Sequence, residues 1–76
     1  GSEMCIRDRD SIVTITGRRE VLIENYKGIL EYTGEYIKIQ TKNAKLTVYG
    51  KKLSIEYYTN EDMKVVGFVK SIEYEA

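Results

Sequence analysis

Hydrophobic and polar residues alternate along most of this chain. Ile37-Lys38-Ile39, Leu46-Thr47-Val48, Leu53-Ser54-Ile55-Glu56-Tyr57 and Ile72-Glu73-Tyr74 all repeat with a period of two. Such alternation places one face in a core and the other in water, which is the signature of a half-buried strand. β-branched residues and tyrosine suit the pleated surface, and helical spacing is never sustained. The pattern predicts seven strands, about 11–16, 20–25, 29–33, 35–41, 44–50, 52–58 and 63–75, the last with a break near Gly67.

The segments between them carry turn residues. Gly17-Arg18 and Gly50-Lys51 suit two-residue loops with glycine first, the type II′ preference. Lys27-Gly28 and Thr33-Gly34 put glycine second, where a positive φ is often required. Lys42-Asn43 and Thr59-Asn60-Glu61-Asp62 are polar turns. Short connections make antiparallel neighbours. The expected fold is all-β: an antiparallel meander of about seven short strands, curled into a compact sandwich or small open barrel.

One word is spelled twice, Ser54-Ile55-Glu56-Tyr57 and Ser71-Ile72-Glu73-Tyr74. Aligning Gly50 with Gly67 also matches Val48 to Val65. Thr14-Ile15-Thr16-Gly17-Arg18-Arg19 parallels Thr47-Val48-Tyr49-Gly50-Lys51-Lys52 in the same way. Either a strand-Gly-strand unit recurs, or alternating strands converge on similar words. Gly67 fits the unit less well, because no polar turn residues follow it and a glycine inside a strand often marks a bulge or bend. The expected core is Ile15, Ile23, Ile37, Ile39, Leu46, Val48, Leu53, Ile55, Val65 and Ile72. Sheet edges would then need blunting or pairing. Lys38, Lys45, Lys64 and Lys70 are candidate blunting charges, and pairing with a second copy through a sheet edge is the other solution.

Length and composition narrow the classes. A chain of 76 residues makes one small domain, and such a domain buries only about 60% of its unfolded surface. Twelve basic and twelve acidic residues give no net charge, which does not favour nucleic acid as a partner. No apolar run approaches the ~20 residues of a membrane span, so direct membrane insertion is not expected. Gly1–Arg9 lacks apolar periodicity and resembles the translation of a sequencing adapter in an assembled metagenomic read. Residues 1–9 are therefore read as a non-native or disordered tail with the native N-terminus missing, and residues 10–76 as the β domain. Cys5, the single thiol, falls in that tail.

Candidate chemistry is sparse. The chain has no histidine, which removes Ser/His and Cys/His nucleophilic systems and, with one cysteine, the usual zinc sites. The glycines are scattered and form no phosphate loop. The carboxylates Glu20, Glu24, Glu31, Glu35, Glu56, Glu61, Asp62, Glu73 and Glu75 suit the wet face of strands better than an acid–base pair. No catalytic, cofactor or metal residue is assigned. Seven tyrosines stand out. They can serve as cross-strand pairing surface, as interface anchors, or as a platform for nucleic acid or glycan.

Thr14-Ile15-Thr16-Gly17, then Ile23-Glu24-Asn25-Tyr26-Lys27-Gly28-Ile29 with Glu31-Tyr32, resembles the opening of the YabP/YqfC-type sporulation proteins. Leu46-Thr47-Val48-Tyr49-Gly50, Lys51-Lys52-Leu53-Ser54-Ile55, Val65-Val66-Gly67 and Ser71-Ile72-Glu73-Tyr74 are similar to its later parts. The resemblance covers residues 11–75; Ala44 departs from it, standing where a glycine is usual. It implies a non-enzymatic protein of endospore formation, acting in spore envelope assembly beside a sporulation membrane protein. The location implied is cytoplasmic, membrane-associated through that partner. Asn25, Tyr26, Lys27, Tyr32, Tyr49 and Tyr58 form the candidate partner surface; the alternative for Asn25 and Gly28 is that they shape a turn. A small β-sheet module binding nucleic acid or glycan through exposed tyrosines is the other functional reading.

Overall fold

A computed structural model describes residues 3–7, 12–42 and 44–75, with only the backbone course of 3–7. Seven strands follow one another: β1 (Glu3–Arg7), β2 (Ile12–Thr16), β3 (Glu20–Glu24), β4 (Gly28–Tyr32), β5 (Tyr36–Gln40), β6 (Lys45–Tyr58) and β7 (Asp62–Glu75). No helix is present among the described residues. The sheet order is β1-β2-β3-β7-β6-β5-β4, antiparallel at every pair. The meander is interrupted once, where Asn25–Lys27 carries the chain from β3 to the far edge at β4.

The two longest strands organise the fold. β5 pairs only with 45–49 of β6, and β3 pairs only with 62–66 of β7. β6 and β7 pair with each other throughout, with register shifts at Tyr49/Gly50, Lys51/Ser54 and Ile55/Tyr57. Extra residues in one strand bend it and raise its twist. The β6–β7 ribbon therefore turns a corner, and its ends belong to two facing leaves: β1, β2 and β3 extend one, β4 and β5 the other. A flat seven-stranded sheet would be about 30 Å wide and about 10 Å thick; the molecule measures 26 × 25 × 22 Å.

Glycine is required at the corner. A Cβ on Gly50 would overlap the Phe68 carbonyl oxygen, and one on Gly67 would sit 2.5 Å from the Lys52 carbonyl oxygen. Gly67 also has φ +136°, where an L side chain is strained. The anticipated break near Gly67 is thus a bend. The expected turn at Gly50-Lys51 is instead a bend too, and the strands expected at 44–50 and 52–58 are one. The number seven is restored by β1, in the segment expected as a tail, which pairs from Glu3↔Thr16 to Arg7↔Ile12.

The repeated word now has a structural meaning. β6 and β7 are each 14 residues long, and Gly50 and Gly67 hold equivalent places at their bends. The β2–β3 tip accepts bonds at β7, Gly67 N–H to Arg19 O (3.1 Å) and Val69 N–H to Arg18 O (2.8 Å). The β4–β5 tip repeats this at β6, with Gly50 N–H to Glu35 O and Leu53 N–H to Gly34 O, both 2.8 Å. The two SIEY words are thus matching arms of two bent strands. Gly17 is not equivalent to these glycines. It lies in the β2–β3 turn, where Arg18 also has positive φ (59° and 58°), as a type I′ turn needs.

The β4–β5, β5–β6 and β6–β7 hairpins share a threonine device. Thr33, Thr41 and Thr59 each donate their own N–H to the carbonyl of the residue three positions on, at 2.7–2.9 Å. Their hydroxyls accept N–H bonds from inside the turn, Tyr36 (3.0 Å), Ala44 (3.1 Å) and Asp62 (2.9 Å). Gly28 and Gly34, expected at positive φ, do not have it; Asn25 does, at 67°.

Inward-facing side chains of both leaves meet. Val21, Ile23, Ile37, Ile39, Leu46, Val48, Met63 and Val65 are fully buried, and Leu53 nearly so. Ile15, Ile55 and Ile72, expected in the core, pack against it while partly exposed. Val13, Val21, Tyr26, Met63 and Val69 are core residues outside the expected set. Lys38, Lys45 and Lys64 lie on strands paired on both sides and so cannot blunt an edge; of the four lysines only Lys70 lies in an edge segment.

Alanine at Gly50 or Gly67 should cost about 3 kcal/mol, by steric overlap and backbone strain, whereas Gly28→Ala and Gly34→Ala, with open space around them, should stay within about 0.5 kcal/mol. Urea unfolding of the four variants checks this. In the same assay Thr41→Ala, which unpairs a buried turn, should cost about 2 kcal/mol and Thr33→Ala, which is exposed, about 1 kcal/mol.

Candidate interaction surface

The six residues expected to form a partner surface fall in three places. Asn25, Tyr26 and Lys27 make up the link between leaves. Its backbone is fastened on both sides: Asn25 and Tyr26 N–H donate to Glu61 O, at 2.6 and 3.3 Å, and Lys27 N–H donates to Gln40 O at 2.7 Å. Asn25, at positive φ, shapes the turn, as its alternative reading had it. Tyr26 departs from expectation. It is 7% exposed and its hydroxyl donates to the Thr59 carbonyl, so it anchors the link to the β6–β7 turn and is not free to meet a partner. Tyr58 lies beside it and is 66% exposed.

Tyr32 lies on β4, the free edge of its leaf. Its hydroxyl accepts the Ile55 N–H at 3.1 Å, so the side chain spans from β4 to the C-terminal arm of β6, the free edge of the other leaf. No Cα of β4 comes within 8 Å of β6. The two edges thus flank an unpaired seam, tied by Gly34–Leu53 at one end and Tyr26–Thr59 at the other. The bond from Ile55, with one from Ser54, lowers the Tyr32 phenol below its ordinary pKa by favouring the phenolate.

Tyr49 occupies the outer face of the β4–β5 leaf. Its ring lies 6.4 Å from that of Tyr36, its cross-strand neighbour. Carboxylates hold both hydroxyls: Tyr36 donates to Glu31 at 2.7 Å and Tyr49 to Glu73 at 3.3 Å. Lys38 reaches Glu31 at 3.9 Å and lies 5.7 Å from the Tyr36 ring centre. The face is mixed in charge, with Lys38 and Lys45 beside Glu31, Glu73 and Glu75. On the opposite leaf Lys64 contacts Glu56 at 3.2 Å and Glu20 at 3.6 Å, and the bond to Glu56, then the charge of Glu20, raises its pKa. These carboxylates are charge partners across strands. Among the described residues no three metal-ligating side chains converge.

Two features of the surface were not anticipated. Ile29 and Leu30 are 38% and 48% exposed on β4, where a register shift separates Ile29 from Glu31. The adjacent apolar pair in Gly28-Ile29-Leu30-Glu31-Tyr32 breaks the alternation, which was a visible sign of an unusual strand. Arg18-Arg19 and Lys51-Lys52, noticed only as parallel words, meet on either side of Phe68.

The family model described as the YabP family matches residues 7–76, which takes in β2 to β7, both bent strands and the link. The chain belongs to the YabP family. Gly1–Ile6, and with it most of β1, lies outside the matched residues. No curated protein and no solved structure matches the chain. The YabP family is not a known enzyme family, and membership is compatible with a sporulation-associated role. No helix among the described residues of this YabP-family chain is long and apolar enough to cross a membrane.

Burial raises the Tyr26 pKa above 10.0, helped by Tyr58 and Asp62, and the Glu31 bond raises that of Tyr36. Both groups, with Lys64, hold their protons more tightly in the folded state. The stability they contribute is full below about pH 10 and is lost as pH rises through their folded pKa values. Tyr32 has the opposite sign and gains stability above its lowered pKa. Unfolding midpoints should therefore decline above about pH 10, the slope being shallower in Tyr26→Phe and steeper in Tyr32→Phe; urea titrations across that range measure it.

Proposed function

We propose that this YabP-family protein is a non-enzymatic structural and interaction protein of endospore formation, acting in spore envelope assembly. It works by docking on a sporulation membrane protein or by self-association, in the cytoplasm of the sporulating cell and membrane-associated through that partner. Family membership supports the process. The open β4 edge, with Ile29, Leu30 and Tyr32 exposed side by side, supports the mode of action.

An edge strand presents unpaired N–H and C=O groups to any extended segment. β1 illustrates the event on this molecule. It adds antiparallel to β2, and β2 stands to β3 as β4 stands to β5. Adding a strand at β4 in the same manner would displace the Tyr32 hydroxyl from Ile55 and cover Ile29. Chemistry that transforms a substrate has little support: Glu20, Glu31, Glu56 and Glu73 are engaged with lysines or tyrosine hydroxyls.

Leu30→Lys and Ile29→Lys should abolish recovery of a sporulation membrane protein in pull-downs from sporulating cells, or abolish a concentration-dependent sedimentation shift of the isolated protein, while leaving its melting temperature within a few degrees. Unchanged recovery and unchanged sedimentation in both variants would remove β4 from the interface.

A further inference from the structure

Four cations gather at the corner of the molecule. The carbonyls of Arg18 and Arg19 bond to Val69 and Gly67, and Lys51 is in register with Phe68. Arg19, Glu20, Lys52, Val66, Gly67 and Phe68 line one shallow cleft. Arg18, Arg19, Lys51 and Lys52 are all exposed, and among the described residues none has an ion-pair partner. Phe68 lies between the two basic pairs and is 52% exposed. Among the described residues, Glu20 lines the same cleft and is engaged by Lys64 at 3.6 Å, Glu35 is at the tip whose carbonyl accepts the Gly50 N–H beside Lys51, and Glu3 is in register with Thr16 at the foot of the β2–β3 turn.

The fold does not require this charge. The β4–β5 tip makes the same two backbone bonds to β6 with Gly34 and Glu35 where the β2–β3 tip has Arg18 and Arg19. The places of Lys51 and Lys52 on β6 are held on β7 by Phe68 and Val69. Each of the two equivalent corners thus carries one basic pair, Arg18-Arg19 on the hairpin tip of one and Lys51-Lys52 on the bent strand of the other, and the two pairs come together beside Phe68. Nor does the core require Phe68, whose ring faces solvent.

We propose that this corner is a docking surface for an anionic lipid bilayer, with the basic pairs lying against headgroups and Phe68 entering the interfacial layer. The proposal is independent of the β4 edge. Lys and Arg near an anionic leaflet each strengthen adsorption, and an aromatic ring prefers the headgroup region. A single half-exposed ring flanked by basic pairs suits a planar layer. A single-stranded nucleic acid is held instead by a groove with successive stacking rings, and the tyrosine pair of the β4–β5 leaf is bracketed by acids. Nothing spans the membrane in this arrangement, and adsorption is reversible.

Co-sedimentation with unilamellar vesicles tests it, comparing pure phosphatidylcholine with a mixture containing about one-third phosphatidylglycerol. Asparagine tolerates positive φ, so the variants are Arg18→Asn/Arg19→Gln and Lys51→Gln/Lys52→Asn, because Arg18 and Lys52 have φ of 58° and 53°. Binding should appear only with the anionic vesicles and fall about twentyfold in each double variant, at roughly fivefold per charge. It should vanish near 0.5 M salt, where screening shortens to about 4 Å. Phe68→Ser should weaken binding without changing its salt dependence. Equal binding to both vesicle types, no binding to either, or undiminished binding by both double variants would overturn the proposal. So would tighter, salt-sensitive capture of a single-stranded oligonucleotide by the same residues, which would assign the corner to nucleic acid. None of these outcomes bears on recovery of a partner through β4.

Discussion

The molecule depends on one close crossing of backbone. At Gly50 and Gly67 the two long strands approach each other, and the carbonyls of Phe68 and Lys52 occupy the space where side chains would otherwise stand. Without that approach β6 and β7 would run on as a straight ribbon. Their outer arms could not then face one another, and Ile37, Ile39, Leu46 and Val48 would have no counterpart in Val21, Ile23, Met63 and Val65. In a chain this small the hydrophobic contribution comes from burying each inward side chain on both sides, at roughly 1.5–3 kcal/mol each. Bending a single sheet onto itself supplies two apolar faces from a handful of strands.

Bending also fixes where the surface can act. Each corner is braced by a hairpin tip that accepts N–H bonds from the bent strand, so the corners are rigid backbone constructions whose side chains are free to vary. One corner carries Arg18, Arg19 and Phe68, the other Gly34, Glu35, Lys51 and Lys52. Each leaf likewise ends in an edge. On one side β1 covers β2; on the other β4 lies open, its seam bridged by Tyr32. Two matching halves therefore carry different surfaces, and these differences, not the shared framework, bear on interaction.

Much of the framework was legible because alternation depends only on neighbouring residues. Leu46-Thr47-Val48 and Ile37-Lys38-Ile39 show which side faces in, and the structure places those apolar residues in the core. The corner was less legible. Gly17-Arg18-Arg19 and Gly50-Lys51-Lys52 are similar locally, yet the first reverses the chain and the second only bends it. What decides is the partner strand: β7 pairs with β6 on both sides of Gly50, so the chain continues, whereas β3 returns along β2. That partner is remote in sequence. Tyr26 was misread for the same reason, since the carbonyl that receives its hydroxyl belongs to Thr59, 33 residues on. The threonine turns could have been found, because Thr33, Thr41 and Thr59 each begin a short polar break between apolar strands.

The placement of β3 beside β7 bears on how the chain reaches its native form. Glu20 is matched with Val66, and Glu24 with Asp62, so the β2–β3 hairpin has no neighbouring strand on its inner side until residues 62–66 have been synthesised. The second hairpin, by contrast, meets β6 almost at once. During translation the early hairpin waits with its apolar face and a bare edge in solution, the situation in which chaperones bind and wrong pairings arise. Closure of that long loop is the slow, entropically demanding step expected of a topology with distant pairings. Joining of β7 then adds a strand to both leaves together.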